Sequence, residues 1–196
     1  MKKIFRWLTT VIVIFVITVL HTSSANASPI QDLTQTSAEA YVREALLATG
    51  SADLLNFSKD SNDHIIRGTF ILQLWNNDPE IQKITNFKIY HAVIEEDIEA
   101  AGLSLPFNVE FHNCMFTGRI NLESASVKTF RIDDSSVAGS VRMGRMIAEG
   151  DLALYQSTFS GEVTLFGADI KNNLFARGSH FNGVKPDENS AYPFEL

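Results

Sequence analysis

From Phe87 onward the apolar residues fall into units of eleven. Units open at Phe87, Ile98, Val109, Ile120, Phe130, Val141, Leu152, Val163 and Leu174, each step being eleven residues except the ten from Ile120 to Phe130. Two places after the openers stand Ile89, Ala100, Phe111, Leu122, Ile132, Met143, Leu154, Leu165 and Ala176. Five places after, a small residue recurs as Ala92, Cys114, Ala125, Ser135, Ser157, Ala168 and Ser179. Seven places after, Ile94, Leu105, Phe116, Val127, Val137, Phe159, Ile170 and Phe181 are apolar, and Gly118, Gly139, Gly150, Gly161 and Gly183 mark the ninth place. Alternation of inward and outward positions is a strand signature, and regular glycine-bearing breaks turn the strand through a corner.

A fixed short period without helical spacing predicts a solenoid. One unit holds two short strand stretches, too few to enclose a core, so two units of about 22 residues make one coil. The expected fold is an all-β solenoid, a right-handed parallel β-helix of about four and a half coils and roughly 20 Å in length, at ~4.8 Å per rung. One unit departs from the pattern: between Val141 and Asp151, Arg145-Met146-Ile147 stands where a small inward residue belongs. A local bulge or widened corner is expected there.

Before the repeat, residues 28–80 predict an N-terminal α-helical cap. Thr36-Ser37-Ala38-Glu39 places an acid three residues after a capping hydroxyl, Tyr41, Val42, Ala45, Leu46 and Leu47 follow at helical spacing, and Gly50 is a stop. Asp63 to Trp75 reads as a second helix or a helix-to-strand lead-in. A coil end exposes backbone and core side chains, so this apolar segment is placed to cover one. The organisation expected is therefore a cap over 28–80, the β-helix over 81–183 and a C-terminal tail over 184–196.

Residues 1–27 carry the three parts of a secretory signal: Lys2, Lys3 and Arg6, an apolar run from Trp7 to Leu20, and Ala25-Asn26-Ala27 before Ser28. The run is short of the roughly 20 residues of a membrane span, so no stable span is expected after cleavage; an uncleaved signal anchor is the alternative. Cleavage removes three positive charges and no acids, taking the formal charge from −7 to −10. The expected location is periplasmic or extracellular. The acidic balance argues against a nucleic-acid partner, which needs a basic stripe. One cysteine leaves no room for an intramolecular disulfide or a cysteine-based zinc site. Cys114 occupies a small inward position and is expected to be a buried, unreactive thiol.

LALYQSTFSG, VTLFGADIKN and LFARGSHFNG resemble degenerate pentapeptide repeats, in which a small residue and a Leu or Phe two places later point into a narrow parallel β-helix. Residues 64–183, with IRGTFILQLW and LSLPFNVEFHNCMF, are also similar to bacterial repeat proteins often labelled membrane-associated oxidoreductases. The resemblance implies the fold and carries no catalytic group with it. For some members it implies a DNA-like acidic surface that engages topoisomerases, a role that export argues against.

Stacking aligns equivalent outward residues of alternate units. One place after the openers come Lys88, Glu110, Arg131, Ala153 and Phe175; three places after come Tyr90, His112, Asp133, Tyr155 and Arg177. The first row alternates charge and is expected to pair up and down the column. The second combines rings, an imidazole, a carboxylate and a guanidinium, a set able to hold a protein or glycan partner or to serve as a solvated strand face. The opposite rows, Glu99, Asn121, Arg142, Thr164 and Ala101, Glu123, Gly144, Phe166, are less concentrated.

Enzymes acting on polysaccharides also use parallel β-helices, and His112, Asp133, Arg131 and Arg177 would be the constellation here. Their grooves are built by long loops, for which eleven-residue units leave no room. An oxidoreductase is expected to show GxGxxG after a strand, CxxC or a haem motif, and the sequence contains none. Glu95-Glu96-Asp97 with Glu99 lacks a calcium-loop pattern and reads as solvated corner residues. No catalytic residue, metal or cofactor is expected. The function predicted is a non-enzymatic binding or structural module, with a small glycan-binding or glycan-active protein as the alternative. Tyr192-Pro193-Phe194-Glu195-Leu196 is suited to plug the coil end or to join two copies end to end as a homodimer.

Overall fold

The computed structural model describes residues 35–183, so the predicted signal segment and the tail 184–196 lie outside the described residues. Helix α1 (Ser37–Thr49) starts on the capping box: the Glu39 amide donates to Thr36 Oγ1 at 3.2 Å and the Thr36 amide donates to Glu39 Oε2 at 2.9 Å. It ends at Gly50, whose φ of 73° lets its N–H reach the Leu46 carbonyl. Beyond Gly50 the chain pairs as strand Ser51–Asp53, then forms helix α2 (Leu54–Phe57), a 3₁₀ turn over Ser61–His64, strand Ile65–Arg67 and helix α3 (Gly68–Asn77). The region read as helical thus contains two strands, and they extend the sheets of the solenoid. Ser51, Ala52 and Asp53 pair with Lys88, Ile89 and Tyr90, and Ile65, Ile66 and Arg67 pair with Val93, Ile94 and Glu95.

The repeat forms a parallel β-solenoid of about four turns. Each turn passes through four faces. The first is built by Asn86–Tyr90, Asn108–His112, Phe130–Asp133, Leu152–Tyr155 and Leu174–Phe175. The second continues from Val93–Glu95 through Met115–Phe116, Ser136–Val137 and Thr158–Phe159 to His180–Phe181. The third runs from Ile98–Glu99 to Val163–Thr164 and the fourth from Ser104–Leu105 to Asp169–Ile170. Phe87 pairs with Val109, Val109 with Phe130, Phe130 with Leu152 and Leu152 with Leu174, so two units do make one coil.

The short coil loses its residue at a corner. Val127 still pairs with Leu105 and Phe130 with Val109, so the deficit falls at 128–129, between the fourth and first faces. The bulge expected near Arg145-Met146-Ile147 does not form. Ser126 and Val127 pair in register with Ile147 and Ala148, and Met146 and Ala148 both point inward, fully buried. In most other units the inward pair is small then large, as in Ala125 with Val127 and Ala168 with Ile170, Leu103 with Leu105 being an exception. Here the sizes are exchanged, so total volume is roughly kept and flexible Met fills the gap.

Helix α3 buries Phe70, Ile71, Leu74 and Trp75, and the Trp75 ring lies 5.6 Å from Phe87 and 6.4 Å from Phe111. The inward residues of the first coil are consequently buried. Two corners carry columns of left-handed backbone that the hydrophobic pattern does not reveal. One comprises His91, Asn113, Asp134, Gln156 and Gly178, the other Gly102, Ser124, Arg145 and Gly167. Asn, Asp and Gly tolerate this conformation best. Gly118, Gly139 and Gly161 are glycine for a different reason. A Cβ on Gly118 would stand 2.1 Å from the Glu96 carbonyl oxygen, and one on Gly139 2.5 Å from that of Gly118.

After the first left-handed corner comes the small inward column, and its polar members link successive coils. Ser135 Oγ accepts from the Cys114 amide at 3.0 Å, and Ser157 Oγ accepts from the Ser135 amide at 3.1 Å while donating to the Tyr155 carbonyl at 2.8 Å. Cys114 belongs to this column: it is buried, its Sγ lies 3.4 Å from the His112 carbonyl, and burial pushes its thiol up to about 12.

Candidate functional site

The first face has strands of four or five residues through four coils, whereas the later strands of the other faces have two. Longer strands leave room for more than one outward column. Register places Lys88, Glu110, Arg131, Ala153 and Phe175 in one column, and Tyr90, His112, Asp133 and Tyr155 in the next. Arg177 follows Tyr155, joined through the Gln156 amide to the Arg177 carbonyl at 3.0 Å. Seven of the eight residues singled out from the sequence therefore lie on the strands of one face, and Arg177 lies in the turn that follows its last strand.

The charges pair across columns as well as along them. Lys88 Nζ lies 3.1 Å from Glu110 Oε1, as a simple ladder predicts. Glu110 Oε2, however, lies 3.1 Å from His112 Nε2, and Arg131 Nη1 donates to Asp133 Oδ2 at 3.0 Å. Side chains two apart on one strand point the same way, which puts each such pair within reach. The contact with His112 draws the Glu110 carboxyl below its ordinary value; burial opposes this and Lys88 adds to it. The Tyr90 and His112 rings stack at 4.6 Å and 11°.

Asp133 is the least ordinary member. Its backbone puts it on the outer surface, yet it is only 6% exposed. Burial pushes its carboxyl above the ordinary value, against the charges of Arg131 and His112, and Asp134 adds to the rise. Oδ2 takes Arg131 and lies 3.6 Å from His112 Nδ1, whereas Oδ1 is buried without a hydrogen-bond partner. Both His112 ring nitrogens thus face carboxylates and one ring face is covered by Tyr90. That leaves an imidazole suited to holding the array together rather than to moving a substrate proton.

Ala153 is the small rung of its column, and a cavity flanks it on each side of Arg131. One, of about 380 Å³, is lined by Lys88, Asn108, Glu110, Thr129, Phe130, Arg131, Asp151 and Ala153. The other, of about 280 Å³, is lined by Arg131, Asp133, Asp134, Ala153, Tyr155 and Phe175. Asn108, Thr129 and Asp151 belong to a third column, one place before the openers. Asn108 Nδ2 donates to Asn86 Oδ1 at 2.9 Å, Thr129 Oγ1 to Asn108 Oδ1 at 2.6 Å, and Asn173 Nδ2 to Asp151 Oδ1 at 3.0 Å. The recurrence of Asn, Asn, Thr, Asp and Asn at 86, 108, 129, 151 and 173 was the available signal.

The opposite face is paired up as well. Arg119 donates to Asp97 Oδ2 and contacts Glu99, Asn121 donates to Glu99 at 2.8 Å, and Thr69 donates to Glu96 at 2.6 Å. Glu96, Asp97 and Glu99 of the acidic corner run are thereby engaged by the neighbouring coil and α3. Among the described residues, no helix is long and apolar enough to cross a membrane. No protein-family model matches the chain, and no curated protein or solved structure matches it.

Proposed function

We propose that this protein is an exported, non-enzymatic binding module that presents the first face of its solenoid to a protein or cell-envelope partner. The observation that carries this reading is the internally paired array from Lys88 to Asp133, with two cavities beside Ala153. From Lys88 to Tyr155, strands hydrogen-bonded on both sides hold these side chains in a fixed pattern, so little ordering cost remains at binding. The signal-like start at residues 1–27 supports export. The small-then-large inward pairs, such as Cys114 with Phe116 and Ser157 with Phe159, support a degenerate pentapeptide repeat.

A glycan partner is the second reading, and the cavity of Asp133, Asp134, Arg131, Tyr155 and Phe175 favours it. Carboxylates and a guanidinium beside aromatic rings match sugar hydroxyls and the apolar face of a sugar ring. Glycan arrays and cell-envelope pull-downs compare the unchanged protein with His112→Ala, Tyr155→Ala and, on the third face, Arg142→Ala. A ligand lost with the first two and kept with the third supports the first face, and its chemistry separates the two readings. A ligand that survives both first-face changes refutes the assignment. Export is checked by mass spectrometry of the protein outside the cytoplasm, where a chain starting at Ser28 is expected.

A further inference from the structure

The cavity between Arg131 and Phe175 contains an acceptor with nothing to accept. Arg131 and Phe175 both pair with Ala153, one coil to either side, so two rungs, about 10 Å, separate them with only a methyl group between. That gap seats one alkyl chain with van der Waals contacts of about 4 Å on each flank. Phe175, 43% exposed, and Tyr155, two places from Ala153 on the same strand, supply ring surface, and Asp133 and Asp134 supply carboxylates. The Asp133 side chain is only 9% exposed; its Oδ2 compensates Arg131 at 3.0 Å, whereas its Oδ1 has no hydrogen-bond partner. Asp134 makes no ion pair among the described residues, so the lining carries one uncompensated negative charge.

We infer that this cavity takes a lysine side chain from a basic segment of a protein partner, its stem over Ala153 between Phe175 and Tyr155 and its ammonium among the carboxylates of Asp134 and Asp133. The inference rests on the first face being the binding face and names the chemistry of its partner. A buried acceptor without a partner marks a missing donor, and the broad terminal torsion of an aspartate lets Oδ1 turn to one in the cavity. An ammonium brings three donors and no acceptor, whereas each sugar hydroxyl adds an acceptor to a site already rich in them. An amino sugar also carries its nitrogen on the ring, with no stem to fill the gap over Ala153. Two carboxylates fall short of the about six to eight oxygens of a calcium site, and among the described residues no three His, Cys, Asp or Glu groups converge on a metal position. Rings within about 6 Å of the cation add cation–π attraction. The acidic balance of the chain draws a basic partner at long range.

Fluorescence anisotropy of labelled pentalysine on the purified protein tests this, beside the same peptide acetylated on every side-chain amine and with a glucosamine trimer as competitor. Pentalysine is expected to bind and the acetylated peptide to fail. Asp134→Asn weakens binding about tenfold and Tyr155→Ala about threefold or more, with circular dichroism reporting the fold of each variant. Asparagine suits the φ of 48° at position 134, so that variant keeps its backbone. Glu149→Gln removes the same charge from an exposed position outside the cavity and changes binding by less than about twofold. No binding of pentalysine, or equal losses in Asp134→Asn and Glu149→Gln, overturns the proposal, the second because diffuse charge then holds the peptide. A glucosamine trimer that binds more tightly than pentalysine also overturns it and makes an amino glycan the occupant. An envelope ligand lost with His112→Ala and Tyr155→Ala but kept with Asp134→Asn sinks the lysine assignment alone, whereas one that survives the first two changes sinks the binding face itself.

Discussion

Three glycines of the solenoid separate two physical reasons for glycine from the absence of either. At Gly139 an added Cβ would stand 2.5 Å from the Gly118 oxygen, 2.6 Å from its carbonyl carbon and 2.7 Å from the Arg119 nitrogen. Comfortable contact needs about 3.5 Å, so two coils must part by about 1 Å at backbone that cannot rotate away. The corner is held by the Ala138 amide on the Phe116 carbonyl and the Ile120 amide on the Ser140 carbonyl, both at 2.9 Å. Losing them costs about 1 kcal/mol each, and overpacking adds about 1–3 kcal/mol, so Gly139→Ala is expected to destabilise by about 3–5 kcal/mol. For a chain of this size that is on the order of 10 °C in Tm. Gly102→Ala meets nothing within 4 Å but keeps a φ of 71°, and the left-handed backbone alone costs it about 1 kcal/mol. Gly144→Ala has neither problem, its nearest neighbour being the Phe166 oxygen at 3.5 Å, and is expected to gain about 0.4–1 kcal/mol through a stiffer unfolded chain. Urea and thermal unfolding of the three variants measure the order. If Gly139→Ala unfolds at the same midpoint as Gly144→Ala, coil-on-coil contact is not why glycine recurs at that corner.

Further outcomes follow from the inward column and the cap. Ser157→Ala strands the buried Ser135 amide and is expected to cost about 1–3 kcal/mol by urea unfolding, whereas Ser157→Cys restores part of it. Cys114→Ser places a hydroxyl where Ser135 and Ser157 already have one, so stability should change by less than about 1 kcal/mol, and the native thiol should resist a thiol reagent until the protein unfolds. At Glu39, burial pushes the carboxyl up, but hydrogen bonds from Arg67 and the Thr36 amide outweigh it and hold the pKa below its ordinary value. A depressed folded pKa gives stability that is full above the unfolded value near 4.5 and lost as pH falls through the folded one. Glu39→Gln should therefore be less stable at neutral pH, by about 3 kcal/mol, and lose less on acidification, as seen by circular dichroism between about pH 5 and 2.

The inward positions were legible because in a narrow coil burial follows a strict alternation, and a period of eleven repeats it often enough to be seen. Phe87, Val109, Phe130 and Leu152 are buried in register as the spacing predicts. The outward columns were legible for the same reason, since stacking is periodicity turned into distance. The cap was legible only in part: Thr36, Glu39 and Gly50 carry local signals for α1, whereas the strands at 51–53 and 65–67 are too short to announce themselves and exist because the first coil offers a free edge. At Arg145-Met146-Ile147 the sizes of the inward residues depart from the repeat while their directions do not. Packing accepted the exchanged pair, since it responds to volume over neighbouring positions and not to one residue.

By itself, then, the sequence determined which residues face inward, how many residues make a coil and which outward residues share a column. These depend on local alternation and on a repeat length, both written along the chain. Only the tertiary structure decided that Glu110 holds His112, that Asp133 lies buried with one unpartnered oxygen, and that Ala153 leaves cavities beside Arg131. Those outcomes depend on side-chain reach across columns and on what the coil above and the coil below leave uncovered, distances that no one-dimensional spacing contains.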